Sequence, residues 1–571
     1  MFTLCVTLLS VSIGHAQSNL VLNAKDGSTE NIEMTQKPVV TFGRYGDKVT
    51  VSYEGQTKTI DLQDMQVNGV DAESNELIIL EFDNKQPVVF KLSTLLSIVQ
   101  EDETDQLLPK LIASDPSVSI YNQALELTGL ADSLLHHVDV TYSVGIDSTG
   151  WDNRQLITHI ATEYENVAYM SQRFYKYTAL LVKDEVLAAK YGIRDINGLQ
   201  LKAHEIYDAV YPEDASVTDE TDRRNALNRF ISYHVLPFLG EYYSLTCIDG
   251  EPNTLAKNFM RDQADISDWY ETMMPNSIMK FSFPAVAEGL YINRRGIADH
   301  ADNQGQFVAG TLVTEYSTTE RHALNGLYTY IDDIVAYDQT MQQVVCNDRM
   351  RIDCTTLSPD FLTSGARAHW TRSTVEDGKY AQWDRTTDIT NTSTCLGFKN
   401  GSAKNFSYND VTSHLHVSPR YLNFWNYQGD AITILGPYDV TMKLPAVPAG
   451  KYELRMGVTT DFPSNGLINI YIDDELKCEQ LDIRTPLPQG TATRENGWMP
   501  GPASYSPNAS ASSTFADINN LPRKIIGTFI TDGKSDHFLR LQQMERDPYM
   551  RLNFDYIELI PVDAIETEDK Y

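Results

Sequence analysis

Positive charge is scarce in this chain. Its 571 residues hold 46 Lys and Arg against 78 Asp and Glu, a formal net charge of −32. A surface of that sign repels phosphate backbones and anionic headgroups, which excludes nucleic acid as a partner. Long apolar runs are lacking as well. No stretch reaches the roughly 18 apolar residues that a membrane-crossing helix needs, so no transmembrane segment is read. Cysteine is sparse, at Cys5, Cys247, Cys346, Cys354, Cys395 and Cys478. None forms a C-x-x-C pair, which argues against a structural zinc site. Cys346 and Cys354 are close enough in sequence to bridge, but spacing alone does not decide which cysteines pair. The motifs of common chemistries are absent: no nucleophile elbow, phosphate loop, H-E-x-x-H or dinucleotide-binding glycine pattern. No catalytic residue and no metal ligand is therefore assigned, and the chain is read as a non-enzyme. No cofactor is expected beyond a structural calcium, which the many carboxylates permit without fixing its ligands.

What is present begins with an apolar leader. Phe2 to Ile13 is a short hydrophobic run, and Gly14 and Ala16 supply small residues at the −3 and −1 positions. That pattern predicts a signal peptide over 1–16, cleaved before Gln17, and hence export to the cell surface, the outer membrane or the medium. Over 17–100, short apolar strands alternate with acidic turns, as in Val49, Val51 and Tyr53 before Glu54-Gly55. This resembles the small β-hairpin modules that open many exported proteins of Gram-negative gut bacteria. Residues 100–106 are polar and acidic and read as a linker.

Over 107–346 the pattern is mixed. Helical spacing is expected within 118–135 (Ile120, Ala124, Leu127), 153–170 and 220–236, with strands near 178–182, 290–293 and 327–332. From 350 to 562 alternation returns: Tyr452, Leu454, Met456 and Val458 face one way, and Glu453, Arg455 and Gly457 the other. Many short strands punctuated by Pro and Gly predict a sandwich. Residues 485–522, rich in Pro, Gly, Ser and Asn, read as a long surface loop. The expected fold is therefore multidomain: a small N-terminal β-hairpin domain, a central α+β domain and a C-terminal all-β jelly-roll sandwich, with an acidic tail at 563–571.

Two resemblances attach to these segments. The central domain is similar to the fasciclin family over four stretches in the family's order: Ser119 to Leu135, Tyr177 to Val182 with Asp184-Glu185, Leu227 to Pro237 containing Tyr233-His234-Val235-Leu236, and Asn325 to Asp332. The family's usual proline after the second stretch is replaced near Lys183, and insertions are needed around 136–176 and 240–268. The resemblance implies an adhesion module without known chemistry. It also marks Tyr233 and His234 as a candidate interaction pair, against the plainer reading that both are packed and hydrogen-bonded inside the fold. The C-terminal domain resembles galactose-binding-like sandwiches at Pro448 to Arg455, Gly466 to Asp474, His537 to Leu541 and Leu552 to Pro561. These are framework positions, so the resemblance implies a carbohydrate-binding scaffold rather than a ligand.

Aromatics supply the candidate carbohydrate contacts. Four of the six tryptophans, Trp370, Trp383, Trp425 and Trp498, lie between 370 and 498. The first three are read as core. Trp498 sits among Gly and Pro in the long loop, with Tyr505 following, and the two are expected to stack on sugar rings. The leading expectation is an adhesion or glycan-capture protein tied to a polysaccharide-uptake system, its partners a polysaccharide or glycoprotein glycan and an outer-membrane protein. The alternatives are a secreted glycan-active enzyme with an accessory binding module, and a purely structural matrix protein.

Overall fold

The structure is a computed structural model of the chain. It describes the strands between 19 and 100, and residues 107–139, 141–142, 166–169, 173–240, 245, 265–284, 289–296, 307–315, 321–363, 394–398, 400–409, 414–418, 431–458, 460, 465–484, 492–501, 522–545 and 550–567. The expected signal peptide and Tyr505 lie outside these residues, as do Trp370, Trp383 and Trp425. The described part is mostly β and divides into two compact units, 1–110 and 111–571.

Among the described residues the first unit holds eight strands. Asn19–Ala24 is central in one sheet, antiparallel to both Thr29–Glu33 and Leu95–Gln100. Val39–Phe42, Lys48–Tyr53 and Gln56–Asp61 make an antiparallel meander, and Leu77–Leu80 pairs with Val88–Lys91. The strand Leu95–Gln100 runs up to the segment that reads as a linker.

In the second unit, the N-terminal half is built around Tyr177–Leu181. This strand is buried along its whole length, runs parallel to Gly326–Ile331 and is antiparallel to Val235–Leu236. A Cβ at Gly326 would lie 2.1 Å from the Tyr177 carbonyl oxygen, so the parallel pair closes only over a glycine. Helix Ala226–Tyr233 begins at Asn225, whose side chain accepts from the Leu227 and Asn228 amides. It ends at His234 and leads directly into Val235–Leu236. Helix Ile196–Val210 is capped by Asp195 and buries Leu199, Ala203 and Tyr207, one face at i, i+4, i+8. A long hairpin, Asp265–Glu271 with Ile278–Pro284, extends the sheet through Tyr291–Ile292 and Thr311–Glu315 to Gly326–Ile331.

The C-terminal half has two sheets. One has nine strands, with Arg551–Pro561 at its centre between Gly450–Val458 on one side and Met350–Asp353 and Ala431–Leu435 on the other. The second has five strands, in the order Phe406–Tyr408, Asp439–Lys443, Phe538–Gln543, Leu467–Ile472 and Glu475–Asp482. Their edges approach where Cys478 Sγ lies 3.7 Å from the Ile526 carbonyl oxygen.

One expectation changes. The helix expected over 153–170 is, at Asn166–Tyr169, a strand that runs parallel to Thr394–Phe398 at the end of the nine-stranded sheet. Hydrogen bonds link residues before 346 with residues after 350. The Asp353 amide donates to Asp268 Oδ1, and Arg173 makes a bidentate pair with Asp360 at 2.9 and 2.8 Å. Cys346 and Cys354 are both buried, and no disulfide joins them.

Candidate functional site: the open face of the five-stranded sheet

The five-stranded sheet sorts its residues by the two-residue period of a strand. Val440, Met442, Leu539, Leu541, Ile468, Ile470 and Ile472 are buried on one face. Each such side chain contributes about 1.5–3 kcal/mol when fully buried, which fixes the register, since a one-residue slip would expose them all. The other face is open. Its middle row crosses all five strands: Ser407 opposite Thr441, Thr441 opposite Arg540, Arg540 opposite Tyr471, and Tyr471 opposite Leu476. At about 4.8 Å per strand this row is about 19 Å long. Ser407 and Leu476 at its ends are exposed, and Thr441, Arg540 and Tyr471 are half-buried.

The centre of the row is rigid. Arg540 donates from Nε and Nη2 to the two Asp439 oxygens at 2.7 and 2.6 Å, a bidentate pair. Asp439 also accepts from Asn409 at 3.1 Å and Gln542 at 3.2 Å. Tyr471 donates to Gln542 Oε1 at 3.0 Å, and the Arg540 guanidinium lies 5.1 Å from the Tyr471 ring centroid. Partial burial pulls the Asp439 carboxyl upward, but its hydrogen bonds from Arg540 and Asn409 outweigh that and leave its pKa below the ordinary value. The same pair raises the pKa of Arg540. Both groups thus stay charged at neutral pH. Two of the five Arg540 N–H donors are used by Asp439. The remainder lie beside the Tyr471 ring, and the Thr441 and Ser407 hydroxyls follow one and two strands further along the row. Such a face offers directional donors beside an aromatic surface, the combination that a sugar's hydroxyls and C–H faces require.

The residues singled out in the sequence lie elsewhere. Trp498 is not displayed on a loop: it is 7 % exposed and starts a short strand, Trp498–Met499, paired with Arg523–Thr531. Backbone carbonyls hold this part of the loop down. Lys524 Nζ donates to the Gly497 oxygen and Arg523 Nε to the Pro500 oxygen, each at 2.9 Å. Polar composition predicts exposure, but two buried cations on the sheet bind that polar backbone. Tyr233 and His234 are also interior, 0 % and 1 % exposed. The Tyr233 hydroxyl donates to the Ile278 carbonyl at 2.9 Å. His234 donates from Nδ1 to the Phe230 carbonyl (2.8 Å) and accepts at Nε2 from the Val335 amide (3.3 Å), with Tyr121 Oη 3.0 Å away. Burial drops the His234 pKa from 6.5 to about 4. Neither residue is placed to meet a partner. Asp473 and Asp474, both at positive φ, form the tight turn before Glu475–Asp482, and Asp473 accepts from the Phe538 amide.

Two further polar groups lie in the nine-stranded sheet. Glu558 is fully buried, with guanidinium nitrogens of Arg351, Arg523, Arg455 and Arg349 at 2.9, 3.2, 3.3 and 3.6 Å. Burial alone would raise its pKa, yet the four cations hold it well below the usual carboxylate range. Asp353, Cys354 and Asp555 bring one donor atom each within 4.8 Å of one another. Two carboxylates and a thiol do not supply the oxygen shell that calcium takes, and Asp353 Oδ1 already accepts from Thr355.

No protein-family model matches the chain, and no curated protein matches it. Among solved structures, a xanthan lyase from Paenibacillus is similar at 10% identity over 30% of this chain and 12% of that one, with a TM-score of 0.15. A family GH115 4-O-methyl-α-glucuronidase with specificity for decorated arabinogalactans is similar at 14% identity over 36% and 20%, with a TM-score of 0.17. The catalytic domain of a family GH87 α-1,3-glucanase is similar at 13% identity over 28% of each chain, with a TM-score of 0.16. The chain thus spans 12% to 28% of the length of these structures, and TM-scores of this size do not define a shared fold.

Proposed function

We propose that the chain is a non-enzymatic adhesion or glycan-capture protein displayed outside the cell. In this reading the α+β half is a fasciclin-type module for protein contact. The C-terminal half is a galactose-binding-like jelly-roll sandwich that holds carbohydrate on the open face of its five-stranded sheet. The row Ser407–Thr441–Arg540–Tyr471–Leu476 carries the proposal, because it is a line in which two hydroxyls and a fixed guanidinium lead to one aromatic ring. The four fasciclin-like stretches support the first part: they fold in order as helix, strand, helix-plus-strand and strand, and the last three meet around Tyr177–Leu181. Asp439 fits an orienting role better than a catalytic one. Its hydrogen bonds keep it ionised, whereas a general acid needs a raised pKa. Screening the full chain on immobilised polysaccharides, alongside turnover assays on the same polymers, tests the reading. Saturable retention without turnover is the expected result. Turnover that co-purifies with the protein, or no retention on any polymer, contradicts it.

A further inference from the structure

Arg294 is a second place where the structure asks for a ligand. It follows the core strand Tyr291–Ile292 and the positive-φ residue Asn293, opposite Gly310, where a Cβ would meet the Arg294 Cβ at 2.9 Å. The Arg295–Val308 pair of backbone hydrogen bonds, each 3.0 Å, clamps the two segments together. The side chain is 5 % exposed, its Nε has no hydrogen-bond partner, and among the described residues no carboxylate pairs with it. Its cationic contacts are two rings, Tyr291 at 5.3 Å and Phe307 at 5.2 Å from the guanidinium carbon. An arginine does not shed its proton, so the charge persists in a site that has removed most of its water. Aromatic faces offset only part of that cost; an anion in the guanidinium plane offsets the rest.

We propose that Arg294, Tyr291 and Phe307 form a subsite for a single carboxylate borne on a ring. The planar N–H edge of a guanidinium matches a carboxylate in two parallel bonds. Phe307, 45 % exposed, leaves an apolar surface beside it for the carrier. The net charge of −32 opposes a polyanion at long range, which favours a monocarboxylate. The subsite is independent of the five-stranded sheet and stands whether or not that face binds glycan.

Titration of the full chain with sodium glucuronate, sodium benzoate, glucose and sodium chloride at matched ionic strength, read by thermal shift and calorimetry, tests this. Saturable stabilisation by a carboxylate, with none from glucose or chloride, is the expected result. Glucuronate outcompeting benzoate would make the carrier a sugar, and the reverse an aromatic acid; both support the subsite. Phe307→Ala should fold normally and weaken binding. Arg294→Lys should weaken it about tenfold or more, since a single ammonium replaces the fork. Arg294→Met should abolish it and raise the melting temperature of the ligand-free chain, because a buried uncompensated charge is removed. No saturable response to either carboxylate, an equal response in Arg294→Met, or a lower melting temperature in that variant would each overturn the proposal.

Discussion

Replacing His234 by Gln should erase a specific part of the chain's acid sensitivity. The imidazole is fully enclosed and neutral, with Nδ1–H fixed on the Phe230 carbonyl and Nε2 accepting from the Val335 amide. A second proton would set an N–H against that amide, and burial opposes the charge, so the folded-state pKa falls from 6.5 to about 4. Above pH 6.5 both folded and unfolded forms are neutral, and the full contribution is present. As pH falls from 6.5 to about 4, the unfolded chain takes up a proton that the folded chain refuses, and stability declines. At roughly 1.4 kcal/mol per pH unit, the drop from 6.5 to about 4 amounts to about 3 kcal/mol. Asp115, also lowered to about 2, titrates below this window. Urea unfolding at several pH values between about 7.5 and 4.5 gives the slope for wild type and for His234→Gln. The variant starts less stable because Phe230 and Val335 lose their partner, and its slope between pH 6.5 and 4 should be shallower by about one proton. Parallel slopes would show that His234 is protonated in the native fold and would refute the buried-neutral assignment.

Other substitutions probe separate parts of the fold. Trp498→Ala should cost about 3–5 kcal/mol in unfolding free energy, as for a core tryptophan, and leave glycan affinity unchanged; a loss of affinity at unchanged stability would return Trp498 to the surface. Glu558→Gln should destabilise by about 3–5 kcal/mol by denaturant melt, because four guanidiniums lose their central charge. Gly326→Ala should give insoluble or unfolded protein on expression, since its Cβ would lie 2.1 Å from the Tyr177 carbonyl oxygen; a soluble variant with native circular dichroism would contradict the parallel pairing.

Much of the strand pattern is legible in the residues themselves. Alternation at Tyr452 to Val458 and from Leu467 to Ile472 marks strands that form where expected, and the apolar i, i+4, i+8 set Leu199, Ala203, Tyr207 behind Asp195 is a helix signature that sequence reading passed over. Pairing over long separations is not legible: nothing in Asn166–Tyr169 tells it to join Thr394–Phe398. The open face was missed for the same reason. Asp439, Tyr471 and Arg540 are unremarkable outward residues of three strands until the sheet order makes them neighbours. Trp498 misled in the opposite way, because a Gly- and Pro-rich segment looks solvated until Arg523 and Lys524 are seen to bind its carbonyls.

The central claim concerns the face around Tyr471, and calorimetric titration of a retained oligosaccharide into wild type, Tyr471→Ala and Arg540→Ala tests it most directly. Loss of the ring contact, at about 0.5–1.5 kcal/mol, predicts affinity about 2–10-fold weaker in Tyr471→Ala. Arg540→Ala should lose at least as much, because removing it also leaves Asp439 without its bidentate partner. Affinity equal to wild type in both variants, with binding otherwise intact, would place the carbohydrate somewhere other than this sheet.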